Sequence, residues 1–210
     1  TTRQLDLGIP IARLALRVHQ YSIHPGIVEA AATILRDAGL SREAAERITA
    51  VVLAKHGSLL SLEARKTLLE AATETEDPAF LESVINAVRS KTQKDAVSQL
   101  VILMLEYFDA RLLEMKAGGA SSESTNSENA NYASEKAIRE KLSSFVLRQE
   151  PITASLLPDA AMRLAKRLIH AKDYEQAQRI VDIGIGANLN HTDLICLRAE
   201  IALTGRNDAI

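Results

Sequence analysis

Apolar residues recur along most of this chain at spacings of three and four, the period of a helix with one face turned inward. Between Gly26 and Ala38 the stripe is Ile27, Ala31, Ile34, Leu35 and Ala38, and Gly39 is suited to close that helix in a left-handed backbone conformation. Ser41 opens a second stripe, Ala44, Ala45, Ile48, Val51 and Val52, with Gly57 as its stop. The connection is so short that the two helices are expected to be antiparallel neighbours. The rhythm then repeats. Ser61 can cap a helix to about Thr73 carrying Leu62, Leu68, Leu69 and Ala72, and Asp77-Pro78 starts another with Phe80, Leu81, Val84, Ile85 and Val88 inward. Ahead of these, Pro10 at a first-turn position predicts a helix from about Pro10 to Gln20, with Thr1 to Gly8 less regular. Tyr21 to Gly26 reads as a break, because Pro25 steers His24 away from helical angles.

The longest helix is expected from about Thr92 to Lys116. Its centre, Leu100 to Leu105, is apolar on every side, which predicts a helix covered by neighbours all round, or one that packs against a copy of itself around Val101 to Phe108. That run is six residues between Gln99 and Glu106, against about 20 for a bilayer, so no membrane span is expected. Ala117 to Ser134 changes character: Gly, Ser and Asn dominate, and Tyr132 is its one large side chain. Such a stretch buries too little apolar area to offset its ordering entropy and reads as a linker, with a lid or a modified Ser/Thr tract as the alternative. The division is therefore 1–117 as an N-terminal array of helical hairpins, 118–134 as linker or long loop, and 135–210 as a C-terminal helical part. Ser134 is read as the cap of a helix to about Gln149, with Ala137, Ile138, Leu142, Phe145 and Val146 inward and Pro151 ending it.

Residues 158–206 carry the clearest pattern. Ala161, Leu164, Ala165, Leu168 and Ile169 line one face of a helix that Pro158 can start; Asp173 caps a second helix, whose stripe is Tyr174, Ala177, Ile180, Val181 and Gly184; a third follows from Thr192. This stretch resembles the tetratricopeptide repeat. Leu164-Ala165 stand where that family has a Leu-Gly pair, Asp173-Tyr174-Glu175-Gln176-Ala177 match the run opening the second helix, and Gly184 takes a small-residue crossing position. Ala161 replaces a bulky aromatic, Leu168 a tyrosine and Lys172 a glycine, and the closing proline is absent. The resemblance covers roughly a quarter of the chain and implies an α-solenoid of antiparallel hairpins, a habit of short helices and tight turns that compact bundles share.

Composition narrows the chemistry. At 3% aromatic residues and no Trp among 210, the core has to be built from many aliphatic contacts, which suits closely approaching helices: an all-α chain. A formal charge of −2 gives no bulk electrostatic reason for binding nucleic acid or an anionic membrane. Cys196 is the single cysteine, which excludes an intramolecular disulfide, and its apolar neighbours predict a buried, inert thiol. The five histidines, His19, His24, His56, His170 and His191, lack metal-ligand spacing and read as exposed or capping residues; no metal and no cofactor is expected. Gly184-Ile185-Gly186 has no preceding strand and so lacks the setting of a phosphate loop, and Glu74, Glu76 and Asp77 read as turn and cap residues.

One cluster points to a partner. Arg163, Lys166, Arg167 and His170 are spaced three, four and seven apart on the first helix of the repeat-like unit. The tetratricopeptide resemblance puts Arg163, Lys166 and His170 on its groove-facing side and Arg167 at the edge, where a basic groove favours an acidic peptide or a C-terminal carboxylate. A solvated basic face balanced by Asp159, Asp173 and Glu175 is the competing reading. The function expected is a non-enzymatic scaffold or adaptor for a protein or acidic peptide, with a structural homo-oligomerisation domain as the alternative. The cytoplasm is expected, while the start at Thr1 without a methionine leaves an extracytoplasmic mature form open.

Overall fold

Capping side chains and prolines mark where helices begin. Ser61 Oγ accepts the Ala64 N–H at 3.1 Å, Asp77 Oδ1 accepts those of Ala79 and Phe80 at 3.1 and 3.0 Å, and Asp173 Oδ1 accepts that of Gln176 at 3.2 Å. Pro25 and Pro78 occupy first turns, where a missing N–H costs nothing. The computed structural model describes residues 2–18, 24–53, 61–92, 96–119, 127–150 and 154–207, and among these it is all-α, with ten helices and no strand. In order they are α1 (Thr2–Val18), α2 (Pro25–Asp37), α3 (Ser41–Leu53), α4 (Leu62–Thr73), α5 (Pro78–Ser90), α6 (Ala96–Gly119), α7 (Ser127–Arg148), α8 (Leu157–His170), α9 (Tyr174–Ala187) and α10 (Thr192–Asn207).

The chain divides into two compact units, Thr1–Ser121 and Ser122–Ile210. Within each, the main contacts join a helix to the next one or the next but one. In unit 1, α4 is central: it touches α2, α3, α5 and α6 and buries Ala64, Leu68, Leu69, Ala71 and Ala72, together with the polar Arg65 and Thr67. The expected inward stripe of α3 is buried in full, and so are Leu81, Val84, Ile85 and Val88 of α5, while Phe80 is half-buried. At the end of α2, Gly39 adopts φ +75°; its N–H bonds to Arg36 O at 2.8 Å and that of Leu40 to Leu35 O at 2.9 Å, satisfying two terminal carbonyls in a conformation that glycine adopts without strain.

Four expectations are corrected. α1 begins at Thr2, with Pro10 inside it; a proline keeps helical φ and loses one backbone bond, a loss set against the packing of α1 on α2 and α3. Residues 127–134 of the expected linker belong to α7, and Gly118 and Gly119 to α6, because extending an existing helix through polar residues costs far less than nucleating one. Within Val101 to Phe108, Val101, Leu103, Met104, Leu105, Tyr107 and Phe108 are buried within unit 1 and Ile102 emerges half-exposed, so the segment is not covered all round. Cys196 is exposed, since Leu194, Leu197 and Ile201 form the buried stripe of α10 and residue 196 falls outside it. The break at Tyr21, the stop at Gly57, the end at Pro151 and residues 120–126 lie outside the described residues.

Ion pairs tie α1 to α3 and α2 to α4 at the rims of unit 1. Arg36 of α2 donates to Glu70 at 2.8 Å and Glu74 at 2.6 Å, and the Ser41 hydroxyl donates to Glu74 as well. Arg13 of α1 and Arg47 of α3 share Glu43 at 2.6 and 2.7 Å. Burial pushes the Glu74 carboxyl up, but the hydrogen bonds from Arg36 and Ser41 and the Arg36 charge outweigh it and hold the group below its ordinary 4.5. Glu43 is lowered first by the Arg13 hydrogen bond, against burial, with Arg47 adding to it.

In unit 2, α8 packs on α7, α9 and α10, and α9 on α10. The crossing point is Gly184. A Cβ built there would lie 2.8 Å from the Ala161 Cβ and 2.8 Å from Leu194 Cδ1, whereas one on Gly186 would meet nothing within 4 Å. Ile138, Leu142, Phe145 and Val146 of α7 complete this core.

Gly184→Ala should lower stability by about 1–3 kcal/mol through overpacking, while Gly186→Ala, two residues on in the same helix, should raise it by about 0.5–1 kcal/mol; paired denaturation curves will show the opposite signs. A carboxylate lowered in the folded state stabilises above its unfolded value and loses that contribution as pH falls through its folded one. The unfolding midpoint should therefore hold from pH 7 to about 5 and drop below the ordinary 4.5. Arg36→Met should lower the neutral plateau by about 1 kcal/mol, discounted for solvent at Glu74, and flatten that acid decline.

Candidate functional site

The buried stripe of α8 decides where its basic residues go. Ala160, Ala161, Leu164, Ala165 and Leu168 are packed inward, which leaves positions 163, 166, 167 and 170 on the edges and outer side of the helix. The structure then divides the four expected residues into two pairs. Arg163 donates to Asp159 one turn earlier at 2.6 Å, and Arg167 donates to Glu135 of α7, a carboxylate that Arg139 also approaches at 3.8 Å. Both arginines are partly exposed but committed to contacts inside unit 2, and Arg167 acts as a tie between α7 and α8. Lys166 and His170 are exposed, one helical turn apart.

The spacing of Asp159 and Arg163 was readable as a helical i, i+4 pair; the Glu135–Arg167 pair, separated by 32 residues, was not. What this face offers chemically is a compact cation at Lys166 and a ring N–H donor at His170, with two guanidinium groups alongside whose charge is largely balanced by carboxylates. That arrangement suits an anionic group arriving from solvent.

The end of α8 is closed by Lys172. Lys172 stands at φ +59° and its N–H bonds to Ile169 O at 2.9 Å, while the Asp173 N–H bonds to Leu168 O at 2.9 Å. This is the closing geometry seen at Gly39, executed by a residue that has a Cβ. Asp173 then caps α9, so one tight corner both ends one helix and starts the next. At the following corner His191 Nδ1 accepts the Leu194 N–H at 3.4 Å, a capping role for one of the five histidines.

A groove in unit 2 escaped the sequence reading. Gln149, Glu150, Leu157, Asp182, Ile183 and Gly186 line an open groove of about 520 Å³ between the ends of α7 and α9 and the start of α8. Its lining brings two carboxylates and no nucleophile, and Asp182 already pairs with Arg198 at 3.2 Å. Gly186 borders this groove and Gly184 is buried at the helix crossing, so the Gly-Ile-Gly run serves α9. Among the described residues no group of three or more His, Cys, Asp or Glu side chains is placed to hold a metal ion, and no helix is long and apolar enough to cross a membrane. No protein-family model matches the chain, and comparison with curated proteins and with solved structures yields no match.

Lys172→Gly should stabilise unit 2 by about 1 kcal/mol, because it removes a left-handed side-chain clash while keeping both closing hydrogen bonds. Thermal or chemical unfolding compared with the parent chain measures it; a loss of stability would mean that the lysine side chain contributes more than its backbone costs.

Proposed function

We propose that this chain is an interaction scaffold, built as an α-solenoid of antiparallel hairpins that is tetratricopeptide-like in unit 2, and that it holds an acidic segment of a protein partner against α8. The observation that carries this reading is the pairing of Lys166 with His170, exposed one turn apart on a helix whose opposite face is locked into the core. Two supports stand beside it. The helix-by-helix contacts run to nearest and next-nearest neighbours, as in stacked hairpins, and the Asp173 cap and the close approach at Gly184 involve residues that carry the sequence resemblance. Arg163 and Arg167 hold the face in shape and add their outward N–H groups at its edge. The partner is a carboxylate-rich segment, recognised by charge-assisted hydrogen bonds and not by a catalytic step.

An acidic peptide ending in a free carboxylate, followed by fluorescence polarisation, tests this. Lys166→Glu with His170→Glu should weaken binding by about 10- to 100-fold, as expected for two charge-assisted contacts, and Lys91→Glu in unit 1 should leave it unchanged. Equal affinity for the double variant and the parent would refute the assignment, as would a peptide of reversed charge binding as tightly.

A further inference from the structure

We propose that copies of this chain associate head to tail, the outer face of α10 on one copy packing against the outer face of α1 on the next. The proposal goes beyond the α8 reading and is independent of it. It starts from two apolar stripes that the fold leaves in water. α10 buries Leu194, Leu197 and Ile201, and on its other side Ile195, Ala199, Ala202 and Leu203 follow helical spacing and are exposed, Leu203 to 68%. α1 buries Ala12 and Leu16 and turns Ile11, Leu14 and Val18 outward, at 64%, 58% and 53% exposure. A single exposed leucine needs no explanation, but three or four apolar side chains aligned at helical period form a continuous patch.

Charge selects the occupant. Asp193 and Glu200 are exposed along one edge of the α10 stripe and, among the described residues, neither is in an ion pair; Arg198, on the opposite edge, is neutralised by Asp182 at 3.2 Å. On α1, Arg17 is exposed beside Leu14 and Val18 with no ion pair among the described residues, while Arg13 is taken by Glu43 at 2.6 Å. One stripe is thus edged by free acids and the other by a free base. Two copies of α10 paired antiparallel would set Asp193 and Glu200 against their own equivalents, and like charges in register cost affinity. Joining α10 to α1 pairs unlike edges and covers both stripes. Each copy brings one α10 face and one α1 face, so the contact is satisfied reciprocally in a closed dimer or passed on to further copies in a ring or chain.

The intact chain followed by light scattering over a concentration series tests this. The parent mass should rise above that of a monomer as concentration increases. Ile195→Glu with Leu203→Glu blocks one end and Ile11→Glu with Leu14→Glu the other; all four positions are exposed, and circular dichroism confirms helicity. Each blocked variant should be monomeric alone, and an equimolar mixture should stop at one-to-one, because a single good junction survives. Glu200→Arg should weaken association by about tenfold and Arg17→Glu in the same chain should recover it. A parent that stays monomeric throughout overturns the proposal. So does a variant blocked at α10 that still pairs with itself, or a mixture of blocked variants that stays monomeric.

Discussion

Methyl-sized side chains set how closely the helices of this protein approach. Ala44, Ala45, Ala64, Ala71, Ala72, Ala160, Ala161, Ala165 and Ala177 are all fully buried, and Gly184 sits where α8, α9 and α10 converge. With 3% aromatic residues there are few large rings to hold helices apart and fill the space between them, so cohesion comes from many short aliphatic contacts between backbones brought close. Such a core has little room for added atoms. It also places the burden of recognition on edges and outer faces, because the interior is spent on holding helices together.

Charge is distributed accordingly. Arg36 with Glu70 and Glu74, Arg89 with Asp109 at 3.0 Å and Lys116 with Glu82 at 2.9 Å bridge helices of unit 1 at the rim, and Arg167 with Glu135 does the same in unit 2. Exposed pairs of this kind add little stability individually, but they fix how one helix sits on the next. They also thin out the ions left for other work. Lys166, Arg17 and Glu200 stand out against that background because most neighbouring charges are already balanced inside the fold.

Local signals were legible in the sequence and long-range ones were not. The capping residues Ser61, Asp77 and Asp173, the closing Gly39, the inward stripe of α3 and most of those of α5 and α7 depend on neighbours within about one helical turn, and the structure places them as the pattern indicates. Helix starts at α1 and α7 were misjudged because a proline and a polar, glycine-rich lead-in weigh against a helix locally, while packing and propagation decide the outcome. The central role of α4 was hidden by Arg65 and Thr67, which look like surface residues until the helices around them are in place. For the candidate site, the basic row on α8 was visible from spacing alone. Which of its members were already engaged depended on Glu135, a residue on a different helix.

The position of Cys196 has a practical corollary. It is the sole sulfhydryl in the sequence and it is solvent-accessible on α10, so a maleimide dye or a nitroxide will attach at one defined place without any genetic change. It lies three positions from Ala199 and four from Glu200, on the side of the helix that faces away from the core, so the reporter would sense whatever molecule comes to rest there.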